Sequence, residues 1–268
     1  MNAYTGFARV YETFMDNVPY DAWADYVTGL LKEHGLEHCL VAELGCGTGS
    51  MTRRLARAGY DMIGIDLSEE MLDIARYEHE EEPYDILYLN QDMREFELYG
   101  TVAAVVSLCD SMNYITSEEE LLQVFRLVNN YLDPGGLFLF DLNTVYKYEQ
   151  LLGERVIAEN RDDCSLIWEN YYDRETGINQ YDITIYAKAE FEESDETEEE
   201  LPPLYERLEE THLQKAYDVA TIKRLLSEAG MEFVAVYGEG TRTAPEQTAE
   251  RIYILAREGH QDNKFYGN

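Results

Sequence analysis

The sequence predicts an α/β fold: a doubly wound, mostly parallel seven-stranded sheet, interrupted by an inserted antiparallel β-sheet and preceded by N-terminal lid helices. Three observations predict it. Short apolar runs alternate with helical patterns between residues 41 and 140. The first of these runs breaks abruptly into Gly45-Cys46-Gly47-Thr48-Gly49. Further on, Ile183, Ile185, Ala187, Ala189 and Phe191 alternate with Asp182, Thr184, Tyr186, Lys188 and Glu190, a period of two.

Within residues 3–34, Phe7, Val10, Tyr11, Phe14 and Met15, then Tyr20, Trp23, Ala24, Val27, Leu30 and Leu31, recur at spacings of three and four. This predicts two amphipathic helices broken at Asn17-Val18-Pro19. The first strand, Val41 to Leu44, then enters the glycine loop and a helix over Met51 to Ala58, closed by Gly59. Glycines can take positive φ and let a ligand lie against the backbone at a helix N-terminus. The second strand, Asp61 to Ile65, ends in Asp66, 21 residues after Gly45, a spacing at which a carboxylate reaches a ribose hydroxyl. Loop and acid together predict an adenosine cofactor.

Ser68 with Glu69 and Glu70 starts the next helix, through Met71 to Ala75. Ile86 to Leu89 is the third strand and leads to Asn90-Gln91-Asp92-Met93. Val102 to Leu108 is continuously apolar, as a central parallel strand buried on both faces should be, and delivers Cys109-Asp110-Ser111-Met112-Asn113-Tyr114 to the ligand crevice. Ser117 and Glu120 form a capping-box pattern for the helix through Val128, and Asp133-Pro134-Gly135-Gly136 predicts a turn into a fifth strand, Leu137 to Phe140.

Ser165 to Asp173, a strand through 182–191 and Leu204 to Ala216 predict the inserted sheet, with Glu192 to Glu200, seven acids in nine residues, as a mobile hairpin tip. Asp218 caps a helix ended by Gly230, and Met231 to Tyr237 and Arg251 to Ala256 complete the main sheet. The expected division is therefore 1–144 with 217–258 for the cofactor-binding domain, 145–216 for the inserted β subdomain over the active site and 259–268 for a frayed tail.

A dinucleotide fingerprint, G-x-G-x-x-G/A, needs its third small residue one position later than Gly49. Glu43, two residues before the first glycine, would repel a pyrophosphate and suits a cofactor carrying an ammonium and a sulfonium. At these residues the chain resembles the class I S-adenosylmethionine (SAM)-dependent methyltransferases, whose E/D-x-G-x-G-x-G loop matches Glu43 to Gly49. The resemblance implies a Rossmann-like fold, with SAM as cofactor and S-adenosylhomocysteine (SAH) as product. It places Glu43, Gly45, Cys46, Gly47, Gly49, Asp66, Leu67 and Cys109 at the cofactor, Asp92 as acceptor from the adenine amino group and Met93 against the ring.

The likeness extends to a bacterial group without an agreed substrate through Tyr4-Thr5-Gly6-Phe7-Ala8-Arg9-Val10-Tyr11, Gln91 to Arg94, Cys109 to Tyr114 and Glu209-Glu210-Thr211-His212. That group is similar to small-molecule N-methyltransferases with a β-sheet insertion, which implies methyl transfer to a small-molecule acceptor at nitrogen. Methyl transfer from a sulfonium is an in-line displacement that rests on positioning and, for some acceptors, on removal of a proton. Tyr11 in the lid, Asp110 at the crevice and His212 on the inserted sheet are the candidate catalytic residues, each set against a plain packing or capping role.

Two other readings stay open, an NAD-dependent oxidoreductase and a SAM-binding regulatory or interaction protein without turnover. Asp110, Asp141 and Asn143 could hold Mg²⁺ as in catechol-type enzymes, but Leu142 splits the expected Asp-Asn pair and no metal is expected. A net charge of −33 disfavours nucleic acid, and the Asn-Pro-Pro-Tyr signature of base-amino methylation is absent. Cys39, Cys46, Cys109 and Cys164 show no paired spacing, which predicts a reducing compartment. With no signal-like segment and no apolar run long enough for a bilayer, the expectation is a cytoplasmic protein without a membrane partner. The oligomeric state is left open, a dimer being one option.

Overall fold

The computed structural model describes residues 8–80, 82–189 and 203–260. Tyr4 and Phe7 of the aromatic lid motif, the acidic run 192–200 and the tail from 261 onward lie outside them. Two helices come first, α1 (Ala8–Phe14) and α2 (Tyr20–Glu33), separated at Pro19 as the sequence predicts. The cofactor-binding half follows as β1 (Leu40–Leu44), α3 (Ser50–Arg57), β2 (Asp61–Asp66), α4 (Glu69–His79), β3 (Ile86–Asn90), β4 (Val102–Ser107), α5 (Glu118–Tyr131) and β5 (Leu132–Asn143). After the insert, α6 (Val219–Glu228), β10 (Glu232–Gly238) and β11 (Arg251–Arg257) return to the main sheet.

That sheet has seven strands in the order β10-β11-β5-β4-β1-β2-β3. All pairings from β3 to β5 are parallel, and β11 runs antiparallel to both of its neighbours. The order reverses between β1 and β4, so a crevice opens beyond their carboxyl ends. Both faces are covered, as the apolar central strands require. Phe125 and Val128 of α5 with Leu225 and Leu226 of α6 pack on one face, and Val27, Leu30 and Leu31 of α2 with Leu55 of α3 pack on the other.

The helix starts obey local chemistry. Ser68 accepts from the Met71 amide, Ser117 from Glu120 and Asp218 from Thr221, each satisfying an otherwise orphaned donor.

The inserted sheet contains four strands, β6 (Val156–Asn160), β7 (Cys164–Asp173), β8 (Ile178–Lys188) and β9 (Tyr205–Lys215), joined antiparallel in chain order. Its inner face buries Leu166, Tyr181, Ile183 and Ile185 against Val10 and Phe14 of α1 and against Tyr148. The lid helix therefore belongs to the core of the insert.

Three features differ from the sequence expectation. β5 starts at Leu132, because Leu132 already pairs with Val102; the Asp133–Gly136 segment is an irregularity inside the strand, turned by Gly135 at φ +76°. The edge strand β6 was not foreseen, since Val156, Ala158 and Asn160 face solvent and leave little apolar alternation. A short, widened helical segment, Lys147–Leu152, precedes it and buries only Tyr148.

Candidate active site

The site grows from the turn between β1 and α3. Gly45, Gly47 and Gly49 take φ of +70°, +53° and +73°, the left-handed region that favours glycine. A Cβ on Gly45 would come within 2.6 Å of the Ser111 hydroxyl and one on Gly49 within 2.5 Å of the Tyr88 hydroxyl, whereas one on Gly47 would enter open space. Packing thus requires the outer glycines, and the middle one leaves room for a ligand.

From the end of β2, Asp66 Oδ2 accepts from the Gly47 amide at 2.7 Å and Oδ1 from the Ser68 amide at 2.9 Å. Its carboxyl stands above its ordinary value through burial, although these amides oppose the shift. Glu43, only 2% exposed, accepts from the Thr52 hydroxyl at 2.5 Å; burial lifts its carboxyl to about 8. Burial also drives the Cys46 and Cys109 thiols well above their usual range, so neither is a thiolate nucleophile.

Around this loop lies a cavity of about 270 Å³. Tyr11, Glu43, Gly45, Cys46, Gly47, Asp66, Leu67, Asp92, Met93 and Cys109 line it, whereas Gly49, Asp110 and His212 do not. Gly49 supports the turn from behind, against Tyr88 and Ala75. Asp92 lies at the wall with its carboxylate held by its own neighbour: the Arg94 amide donates to it at 2.8 Å and the guanidinium at 2.5 to 3.0 Å. Burial alone would raise this carboxyl, but the Arg94 bonds outweigh it and leave it below the ordinary range.

The lid reaches the loop through a residue the sequence reading passed over. Glu12, next to Tyr11 on α1, accepts from the Thr48 and Ser50 hydroxyls, the latter at 3.0 Å. Tyr20, at the start of α2, is hydrogen-bonded to Tyr11 and also lines the cavity.

The loop after β4 is held in an unusual shape. Cys109 and Asp110 are non-glycine residues at φ +58° and +54°, a conformation that persists only where surroundings enforce it. Their amides donate to Asp141, at 3.1 Å and 2.7 Å, and Arg251 bridges Asp141 at 2.6 Å and Asp110 at 2.7 Å. The insert grips the same loop from β9. Gln214 Nε2 donates to Asp110 at 2.8 Å, and two residues earlier on the same face His212 Nδ1 lies 3.1 Å from the Tyr114 hydroxyl.

His212 is thus buried behind Tyr114, which itself lines the cavity. The three side chains weighed as Mg²⁺ ligands face protein cations: Arg251 pairs with Asp110 and Asp141, and Lys147 donates to Asn143 at 2.9 Å. Arg251 escaped the sequence reading because it opens an otherwise apolar strand. The period of two along β9, which puts Glu210, His212 and Gln214 on one face, was the signal that could have found their grouping.

The lining fits a cationic adenosine cofactor. Three of its carboxylates, Glu43, Asp66 and Asp92, face the cavity with Arg94 as counterweight, and Arg94 is committed to Asp92 and Glu120. Gly47 leaves the backbone open to contact.

Comparison with known proteins agrees. Residues 41–136 match the family model described as a methyltransferase domain. The chain is 33% identical over 255 residues to the Bacillus subtilis (strain 168) protein named "Putative methyltransferase YqeM", covering 95% of this chain and 96% of that one. It is 30% identical over 136 residues, 50% of this chain and 56% of the other, to dTDP-3-amino-3,4,6-trideoxy-alpha-D-glucopyranose N,N-dimethyltransferase of Streptomyces venezuelae. Among solved structures, a SAM-dependent methyltransferase from Clostridium acetobutylicum ATCC 824 superposes with a TM-score of 0.82 at 26% identity, over 97% of this chain and all of that one. Fold, glycine loop, acidic cavity and full-length relatives converge: the chain belongs to the class I S-adenosylmethionine-dependent methyltransferases.

Proposed function

We propose that this methyltransferase acts on a small-molecule amine, transferring the methyl group to nitrogen by in-line displacement, with the sheet of β6–β9 forming the acceptor-side cover. The observation that carries the reading is the tyrosine-rich wall: Tyr11, Tyr20 and Tyr114 line the same cavity as Glu43 and Asp66. Nitrogen gains positive charge as it is methylated, and aromatic faces and buried carboxylates stabilise a desolvated cation. The Streptomyces venezuelae relative, named for N,N-dimethylation of an amino sugar, supports an amine acceptor.

In this reading SAM supplies an already activated methyl group. The chain's own residues bind and orient. Gly45 to Gly49 give the backbone cradle, Asp66 receives the ribose hydroxyls, Leu67 and Met93 flank the adenine, Asp92 stands at its edge and Glu43 faces the cationic amino-acid end. Asp110 shapes the acceptor wall through Arg251 and Gln214. No helix among the described residues is long and apolar enough to cross a membrane.

The test uses SAM carrying an isotope-labelled methyl group against a panel of amino sugars and other primary and secondary amines, with phenols and catechols in parallel, and products located by mass spectrometry. N-methylated products are expected. Transfer to the phenols alone would overturn the nitrogen assignment, and tight SAM binding without turnover on any member would favour the non-catalytic reading.

A further inference from the structure

β9 carries a second chemistry-bearing arrangement behind the acceptor wall. Glu210 and His212, two residues apart on the inner face, have side chains only 7% and 1% exposed. Glu210 Oε2 lies 3.1 Å from His212 Nε2, and His212 Nδ1 lies 3.1 Å from the hydroxyl of Tyr114. The rings of Tyr114 and His212 meet edge-on at 5.9 Å. Across the sheet His212 faces Tyr181, whose own hydroxyl is committed to Gln214.

With Glu210 ionised and the imidazole neutral, Nε2 carries the hydrogen toward Glu210 and Nδ1 presents its lone pair to the Tyr114 O–H, which is the arrangement a relay requires. A buried acid orienting an imidazole that in turn accepts from a hydroxyl is the arrangement by which a weakly basic hydroxyl is made ready to exchange a proton.

We propose that Tyr114, His212 and Glu210 form a relay that takes the proton from the amine acceptor, with Tyr114 as the catalytic residue at the cavity and His212 and Glu210 as positioning residues behind it. The inference rests on the amine reading above. In the step, the acceptor lone pair forms the N–C bond while the C–S bond breaks and its electrons go to sulfur. The resulting ammonium gives its proton to Tyr114 Oη as the Tyr114 proton passes to His212 Nδ1. The amine leaves neutral, the phenol is restored and the imidazolium is held by Glu210.

The relay predicts how the site treats an amine placed where the methyl group sits, and sinefungin, an SAH analogue with an amine at that position, is the probe. Calorimetric affinities for sinefungin and SAH are compared in the wild type and in Tyr114→Phe, His212→Gln and Glu210→Gln, each checked for folding by circular dichroism. Tyr114→Phe is expected to weaken sinefungin about tenfold, as for one lost hydrogen bond, while SAH stays within about twofold. His212→Gln and Glu210→Gln should erode the sinefungin-over-SAH ratio in the same direction.

A purely structural role would move both ligands together, so an unchanged ratio in Tyr114→Phe and His212→Gln overturns the relay. Loss of SAH binding in the wild type would instead defeat the cofactor site. The amine panel judges the nitrogen reading separately: N-methylation there with an unchanged ratio here would leave that reading standing and remove the relay alone.

Discussion

Burial lifts the Glu43 carboxyl from its ordinary 4.5 to about 8, against the pull of the Thr52 hydroxyl. An acid whose folded pKa lies above its unfolded value contributes stability that is full below pH 4.5 and is lost as pH rises through about 8. The ligand-free protein should therefore lose thermal stability between pH 5 and 8, and Glu43→Gln should flatten that slope in a scanning-calorimetry series. A cationic ligand favours the ionised carboxylate, so SAM binding at pH 6 to 7 should release protons, read as a binding enthalpy that varies with the ionisation heat of the buffer. Proton release unchanged in Glu43→Gln would place the ionisation elsewhere, with Asp66 the next candidate. The residue type at position 43 was legible in sequence, because an acid before a glycine turn bears on the charge of the ligand. Its protonation was not, since that depends on burial in the folded sheet and on a helix contact from Thr52 that no local pattern encodes.

At the scale of elements, α1 is held by two unlike attachments. Its apolar side, Val10 and Phe14, is buried in the insert, and its carboxylate, Glu12, grips Thr48 and Ser50 on the glycine loop. Glu12→Ala should leave the fold intact and speed SAH dissociation several-fold in stopped-flow fluorescence, because only the latch on the loop is lost; an unchanged off-rate would mean that α1 closes the pocket through its apolar side alone. The parallel strands and capped helices were readable in order because each carries its own signal: an apolar run, a Ser or Asp cap, a terminal glycine. β6 was not, since an exposed edge strand buries too little to imprint a pattern. The Glu12 latch was hidden for a related reason, as its partners lie 36 and 38 residues away.

For the whole molecule, the junction between the two sheets is a buried polar network instead of an apolar seam. Arg251, 8% exposed, binds Asp110 and Asp141 while Trp23 lies over its guanidinium at 5.1 Å, and Gln214 and Asn113 tie the same loop to β9. Removing one member of a buried ion cluster leaves uncompensated charge and costs about 3–5 kcal/mol. Arg251→Met should lower the unfolding free energy by roughly that amount in urea titrations and weaken SAM binding as the left-handed Cys109-Asp110 turn relaxes. A loss below about 1 kcal/mol would show that the two carboxylates find water or protons at little cost. Sequence placed Asp110, Asp141 and His212 at one end of the fold but not the cation that joins the first two or the tyrosine that screens the third, because both pairings span more than ninety residues.

The shared lid has a thermodynamic corollary. One helix, α1, is packed into the inserted sheet and fastened to the glycine loop, so an acceptor held under the proposed cover and SAM in the loop are expected to be coupled through it. Whatever factor a bound acceptor adds to SAM affinity, SAM must add to acceptor affinity. The methylated product and SAH form a second such pair, and the factor by which the product's departure loosens SAH is the factor by which SAH's departure loosens the product.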